Sequence, residues 1–477
     1  MTNLHLLYPE IALSLLALSL LVVELFVAPR HNRLLYHLGW MVSMVVLCIV
    51  GFTISEGASS QGVGTLWSVD PMSQFFKLLI LVTTVLCLLL GLEYKPLEGG
   101  HAGSFVCLLL LSSAGMMFLV SSVDLLMTFL SLELISLTSF VLTGFERANP
   151  KSNEGAIKYF LFGAFSSAVM AYGISLFYGA TGTTRLVGLS HTGGTLFLLG
   201  VLFILLGFCF KAAIAPMHFW VPDAYEGAPT PVTAYLSLAP KIATLGALLR
   251  LFGILVPASV LELTTLLAVL SGLTMTIGNL TAFFQENVKR LLAYSSVAQA
   301  GYILIGIVSE STLGLEGVLL YSFVYVAMNL GAFAVAQVIA DDSRRSYKGD
   351  PYGLESFNGL AQRSLGLALA MTFFLLSLAG IPPMAGFMGK FYIFSSAIQS
   401  GHYFLAALGV LNSVASAYYY MRIAFHMFFK PAATLEAPAA GPYVTGGLAL
   451  AAAAVLLFGF YPEPLVASVQ ASAQYLP

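Results

Sequence analysis

Fourteen apolar stretches, each close to the length of one membrane crossing, leave this chain few ways to fold. Hydrocarbon about 30 Å thick is crossed by about 20 residues in helical form, because lipid offers no partner to an unpaired backbone amide. Runs of that length fall at residues 4–28, 36–54, 72–92, 103–121, 123–145, 156–180, 195–219, 230–252, 259–284, 290–308, 315–340, 366–396, 402–429 and 443–461. The prediction is an all-α polytopic membrane protein with about fourteen transmembrane helices. The spans group as 1–95 (one to three), 103–252 (four to eight), 259–429 (nine to thirteen) and 443–477 (fourteen and a tail). Only 9% of the 477 residues are charged, where a soluble domain carries about 25%.

Composition also removes several function classes. Twenty Lys+Arg against 22 Asp+Glu provide no basic surface for a phosphate backbone, so nucleic acid is not an expected partner. Cys48, Cys87, Cys107 and Cys209 lie in apolar runs without a CxxC pair, which predicts neither a metal centre nor disulfides. No GxxxxGK[ST] loop and no strand-borne GxGxxG occurs, so no nucleotide site is expected.

Loop cations set orientation. Loops after odd-numbered spans hold Arg30, Arg33, Lys95, Arg147, Lys151, Lys289, Arg290, Arg344, Arg345, Lys348, Arg363 and Lys430; the even loops hold Arg185 and Arg250. Twelve against two predicts cytoplasmic odd loops and, with an even span count, both termini outside. Residues 1–9 lack Lys and Arg and Glu24 interrupts the first apolar run, so an uncleaved N-terminus is expected.

Six cations remain inside the spans: Lys77, Lys158, Lys211, Lys241, Lys390 and Arg422. Lys77, Lys158 and Arg422 lie near cytoplasmic ends and are expected to snorkel. Lys211, Lys241 and Lys390 have no such escape, and an ammonium kept at depth usually faces a polar interior with a task. In FKAAIAPMHFW, Pro216 follows Lys211, which lies about midway along span seven, and should break that span near its middle. In LAGIPPMAGFMGKF, Gly380, Pro382 and Pro383 precede Lys390 in span twelve. Two broken spans five positions apart, each with one lysine, predict an inverted repeat of spans four to eight and nine to thirteen, with the breaks lining an ion path.

Glu133 in SLELISL is the carboxylate deep in a span, and the first acid and first base met at similar depth pair it with Lys211. A static ion pair that fixes helix packing is the alternative. His218 lies seven residues beyond Lys211 and suits proton relay; His426 is a weaker candidate. Tyr235, Ser296, Tyr302 and Tyr325 are possible supports for water. Glu10 and Glu24 are read as contacts to a neighbouring subunit, and Asp223 and Glu226 as lying at the outer surface.

Three strings, FKAAIAPMHFWVPDAYEGAPTPVTAYLSLAPK at 210–241, NVKRLLAYSSVAQAGYILIG at 287–306 and LAGIPPMAGFMGKFYIF at 378–394, resemble the antiporter-like membrane subunits of respiratory complex I and of Mrp-type cation/proton antiporters. The likeness covers nearly all of the chain. It is nearest the bacterial branch, counterpart of mitochondrial subunit 2, that opens as YPEIALSLLAL, keeps lysine in the GKF of span twelve and ends without a long lateral helix. The resemblance implies proton translocation by a non-redox subunit of NADH:quinone oxidoreductase. Glu133 and Lys211 would form the inlet pair, Lys241 the central lysine, Lys390 the exit lysine, and His218 would lie between Lys211 and Lys241. It also implies no cofactor in this chain, with FMN, iron–sulfur clusters and quinone in other subunits, neighbours of the M, K and J types, and a bacterial inner-membrane location. A subunit of a sodium/proton antiporter, a structural scaffold whose pairs only hold helices together, and a solute carrier are the competing readings.

Overall fold

Start signals written in the sequence begin several of the helices. Asp70 caps a helix through a reciprocal exchange with Ser73, with Pro71 in the first turn, and Asp124, Asn149 and Asn287 accept from the free amides of three others. The architecture comes from a computed structural model describing residues 4–28, 31–55, 60–63, 66–94, 96, 101–189, 194–255, 261–346, 349–432 and 436–473. Arg30, Lys95 and Lys348 of the orientation argument lie outside the described residues, as does the side chain of Arg345.

In chain order the helices are α1 (Tyr8–Glu24), α2 (Asn32–Ser55), α3 (Pro71–Leu92), α4 (Ala102–Ser121), α5 (Leu125–Thr143), α6 (Pro150–Thr181), α7 (Thr195–Ala212), α8 (Val221–Gly227) and α9 (Thr230–Leu255). They continue as α10 (Leu261–Ala282), α11 (Val288–Val308), α12 (Thr312–Ser346), α13 (Leu360–Arg363), α14 (Leu365–Ala379), α15 (Ala385–Gln399), α16 (Tyr403–Phe429), α17 (Pro442–Phe460) and α18 (Glu463–Ala473). Among the described residues thirteen helices are long and apolar enough to cross a membrane. The fourteenth crossing is the broken pair α14–α15, so the count of fourteen stands. Two features had no apolar signal long enough to read: an antiparallel pair, β1 (Ser60–Val63) and β2 (Trp67–Val69), and the short α18, packed on α12 and α3.

Burial divides the bundle. α9, α11 and α12 are enclosed nearly all round, whereas α2, α6 and α17 keep much of their surface outward. Enclosed helices are where polar groups can be held away from lipid. They carry Lys241, Ser296, Gln299 and Tyr325, all buried.

Several charges stand elsewhere than the sequence suggested. Lys77 does not snorkel: it is buried on α3 and its Nζ lies 2.5 Å from Glu10 of α1, so Glu10 is spent on an internal pair rather than on a neighbouring subunit. Glu24 likewise turns inward, accepting from the Gly103 amide and the Ser104 hydroxyl at the start of α4. Arg250 is no loop residue; it grips Asp70 with two nitrogens and donates to the Val120 carbonyl. Asp223 and Glu226 of α8 sit on the odd-loop face, bonded to Lys158 and Arg290 and to Lys151 and Arg290 respectively. Lys158 thus reaches the odd-loop face as a snorkelling lysine should, but onto Asp223 and Glu154. Arg422 also ends on protein, donating to the carbonyls of Phe283 and Gln285.

Candidate functional site

Both broken spans interrupt in the same way. α7 ends at Ala212 because Ala213 turns left-handed (φ 60), and the Ile214 amide folds back on the Cys209 carbonyl; α14 ends at Ala379 because Gly380 does so (φ 82), with Ile381 folding back on Leu376. The break is therefore made several residues before Pro216 and just before Pro382. Within α7, Lys211 falls in the last turn instead of midway; it is the middle residue only of the whole interrupted stretch 195–227. Freed carbonyls at the breaks find donors. Trp220 Nε1 donates to the Phe210 carbonyl at 3.1 Å.

Lys390, on α15, reaches back across its break. Its Nζ donates to the Leu378 and Ala379 carbonyls at 3.0 and 3.1 Å and to Ser413 Oγ at 2.9 Å, over the face of Tyr302. The negative end of the α14 dipole points at the ammonium, the geometry by which an interrupted helix holds a cation. Lys211 behaves differently: its Nζ donates to the Tyr159 hydroxyl at 3.2 Å and stands beside the rings of Phe140 and Tyr159, 5.5 and 5.2 Å from their centroids.

Lys241 follows Pro240, inside α9. Proline has no amide hydrogen, so the carbonyl four residues back is left without its helical donor; that carbonyl is Leu236, and the Tyr225 hydroxyl donates to it at 2.9 Å. The Tyr225 ring also stands 5.8 Å from Lys241 Nζ, which donates to Ser296 Oγ at 2.7 Å. A proline next to a mid-span lysine was a usable signal for this lost hydrogen bond within a continuous α9.

Glu133 and Lys211 do not form the contact pair expected of them. Glu133 is half-buried on α5 and takes the Ser167 hydroxyl of α6, and no carboxylate among the described residues lies within ion-pair distance of Lys211. His218 is buried in the break with Nδ1 unpartnered among the described residues.

Between the lysines the packing changes character. From Lys211 to Lys241 runs an aromatic stack, Tyr159 on Trp220 at 3.9 Å and Trp220 against Tyr225 at 6.0 Å. From Lys241 to Lys390 the link is polar and borne by α11. Ser296 holds Lys241; one turn on, Gln299 donates to Tyr420 at 3.2 Å and to the Leu378 carbonyl that also receives Lys390. Tyr321 donates to the Gln299 side-chain oxygen, and Ser295 bonds Tyr420. Of the tentative polar picks, Ser296, Tyr302 and Tyr325 belong to this region, whereas Tyr235 bonds Ser113 in a separate cluster between α4 and α9. His426 bonds Asn358, apart from the line. Tyr159, Ser167, Gln299 and Ser413 were not singled out, because a hydroxyl or amide in a chain with 22 tyrosines acquires meaning only from what packs on it.

Known proteins resemble this chain over most of its length. The family model described as "NADH:quinone oxidoreductase/Mrp antiporter, TM" matches residues 122–416. NADH-quinone oxidoreductase subunit N of Trichlorobacter lovleyi is 44% identical over 444 residues, covering 90% of this chain and 88% of its own. The subunit N of Moorella thermoacetica is 40% identical, covering 98% and 97%. Among solved structures, a chain of respiratory complex I from Thermus thermophilus superposes with a TM-score of 0.83 at 32% identity, over 97% of this chain and all of that one. A chain of the Mrp complex from a Dietzia species superposes at 0.87 with 21% identity over 100% and 98%, a likeness of fold.

Proposed function

The chain belongs to the NADH:quinone oxidoreductase/Mrp antiporter family of membrane subunits, and from that premise we propose that it carries protons across the membrane along Lys211, Lys241 and Lys390, driven by quinone reduction in other subunits. One observation carries the reading. The three ammoniums are 3%, 2% and 3% exposed, and none has a carboxylate within ion-pair distance among the described residues. Lys77, by contrast, keeps a counter-ion in Glu10, and a buried charge without a partner is costly. Amines held instead by hydroxyls, ring faces and carbonyl ends are held in a form that yields a proton when the local field changes.

The step follows from the contacts. A charge altered near Glu133 by an adjacent subunit acts on Lys211 without backbone movement; at an effective dielectric of about 20, unit charges about 7 Å apart interact by about 2.4 kcal/mol. Lys211 then releases its proton toward Lys241, with His218 and water in the gap, and Lys241 passes it by way of the Ser296–Gln299 face of α11 to Lys390, which discharges outward. In this reading the redox cofactors sit in other subunits, the neighbours are of the M, K and J types, the membrane is the bacterial inner membrane with both termini outside, and α4–α9 and α10–α16 are inverted copies. Identity to subunit N of 40–44% over nearly whole chains, against 21% to the Mrp chain, favours this over a sodium antiporter.

Lys211→Ala and Glu133→Ala should each impair quinone-linked proton pumping in proteoliposomes while the complex remains assembled. Lys241→Met should stop the relay, whereas a scaffold would stay active. Full pumping by an assembled Lys211→Ala complex removes the role.

A further inference from the structure

The line of lysines needs a source of protons, and one side of α12 supplies a second way in. Along this helix Tyr325, Asn329, Phe333 and Gln337 recur at four-residue spacing, so each stacks on the next in a row that turns by about 120° round the helix from Tyr325 to Gln337. At the inner end of this row, Asn329 Nδ2 donates to Ser237 Oγ at 2.8 Å and to the Tyr325 hydroxyl at 3.3 Å, and Tyr325 stands beside the Ser296 that holds Lys241. At the outer end of the row, Gln337 lines a cavity of about 370 Å³ whose mouth includes Arg33, Glu93 and Asp341, all on the odd-loop face. Phe333 is wholly buried between them.

Two side-chain oxygens make this row more than packing. Asn329 Oδ1 and Gln337 Oε1 are both buried and neither accepts a hydrogen bond from the described residues, although the nitrogen of each amide is engaged, that of Gln337 by the Leu90 carbonyl at 3.0 Å. A buried amide oxygen left without a donor costs about 1–3 kcal/mol, and water is the usual remedy where the site is polar. The two amides lie eight residues apart, about 12 Å along the helix axis, with one phenyl ring between.

We propose that this row along α12 is a hydrated uptake path that carries protons from the odd-loop cavity past Gln337, Phe333 and Asn329 to the Lys241 amine, with Phe333 as its constriction. The inference rests on Lys241 being a proton carrier; it adds a route that bypasses Glu133 and Lys211. A proton entering at the cavity moves along water to the neutral Lys241 amine, which becomes an ammonium, and no other bond changes.

The test uses the whole complex in proteoliposomes. Asn329→Leu and Gln337→Leu should each lower quinone-linked proton uptake below that of the unaltered complex, though less than Lys241→Met, which blocks both routes, while Gln337→Glu, which still holds water, retains it. As an independent readout of access, a charged thiosulfonate reagent applied at the odd-loop face should modify Gln337→Cys readily. It should modify Asn329→Cys roughly tenfold faster once Phe333→Ala is added. Full uptake by assembled Asn329→Leu, in a series where Lys241→Met fails, overturns the path and leaves the lysine line standing. Unchanged, negligible modification of Asn329→Cys with Phe333→Ala overturns it too. Full uptake by Lys241→Met removes the destination and the path with it, a failure read in a different variant.

Discussion

Lys77 and Lys211 are both buried, and what distinguishes them is the company each keeps. Lys77 meets Glu10 across α1 and α3, a buried pair in which each charge offsets the other. Removing one partner from such a pair costs about 3–5 kcal/mol, whereas removing both is often close to neutral. Lys77→Met should therefore lower the thermal midpoint of the assembled complex markedly, and adding Glu10→Gln should recover most of the loss; equal midpoints for single and double variants would show that the pair carries no stability. Lys211 is partnered by the Tyr159 hydroxyl, so Tyr159→Phe should slow pumping with little change in the midpoint. The presence of these lysines within spans was legible in the sequence, because a charge inside an apolar run is conspicuous, but the burial of Lys77 was not. Nor did the sequence disclose Tyr159, Ser413 or the internal partner of Glu10, because which residues meet depends on how distant helices pack.

At the scale of elements, proline marked where spans are interrupted and missed where the helices end. The residues that turn left-handed, Ala213 and Gly380, do the ending. At Gly380 this has a measurable consequence: its φ is 82°, and an added Cβ would stand 2.8 Å from Lys390 Cδ. Gly380→Ala should cost about 1–2 kcal/mol of stability and also displace the ammonium from the Leu378 and Ala379 carbonyls. It should then reduce pumping more than its loss of thermal stability accounts for. The placement of α8 was misread in the sequence, which put Asp223 and Glu226 at the outer surface, because their pairing with Lys151, Lys158 and Arg290 depends on how distant segments pack. Burial pushes Asp223 and Glu226 up, but Lys158 and Arg290 on the first, and Lys151 and Arg290 on the second, hold both carboxyls below the usual carboxylate range. Groups depressed in the folded state add stability that is complete above their unfolded values near pH 4 and is lost as pH falls through the folded ones. Amide exchange from α8, corrected for intrinsic rates, should stay constant from about pH 8 to 5 and rise only below about pH 4. Arg290→Gln should raise it already at neutral pH, by an amount worth about 1 kcal/mol.

For the molecule as a whole, orientation joins the loop charges to the direction of transport. In three dimensions Arg250 is tied to Asp70 inside the protein, which leaves Arg185 as the even-loop cation, while Lys289 of the odd loops is likewise buried, donating to the carbonyls of Glu226 and Ala228. The carboxylates of α8 do not redress the balance, being paired with Lys151, Lys158 and Arg290 on the odd-loop face. An orientation with that face in the cytoplasm puts the Gln337 cavity on the side that supplies protons and directs α15, beyond Lys390, toward the other. Exposed positions on the two faces decide it. Asn153→Cys and Arg185→Cys, each in a Cys48→Ser background because Cys48 is the exposed cysteine among those described, report opposite sides. In vesicles with the cytoplasmic face outward, an impermeant maleimide should label Asn153→Cys and spare Arg185→Cys until detergent is added. The reverse pattern would invert the bundle, and uptake would then have to begin near Lys390 rather than at the charged mouth beside Gln337.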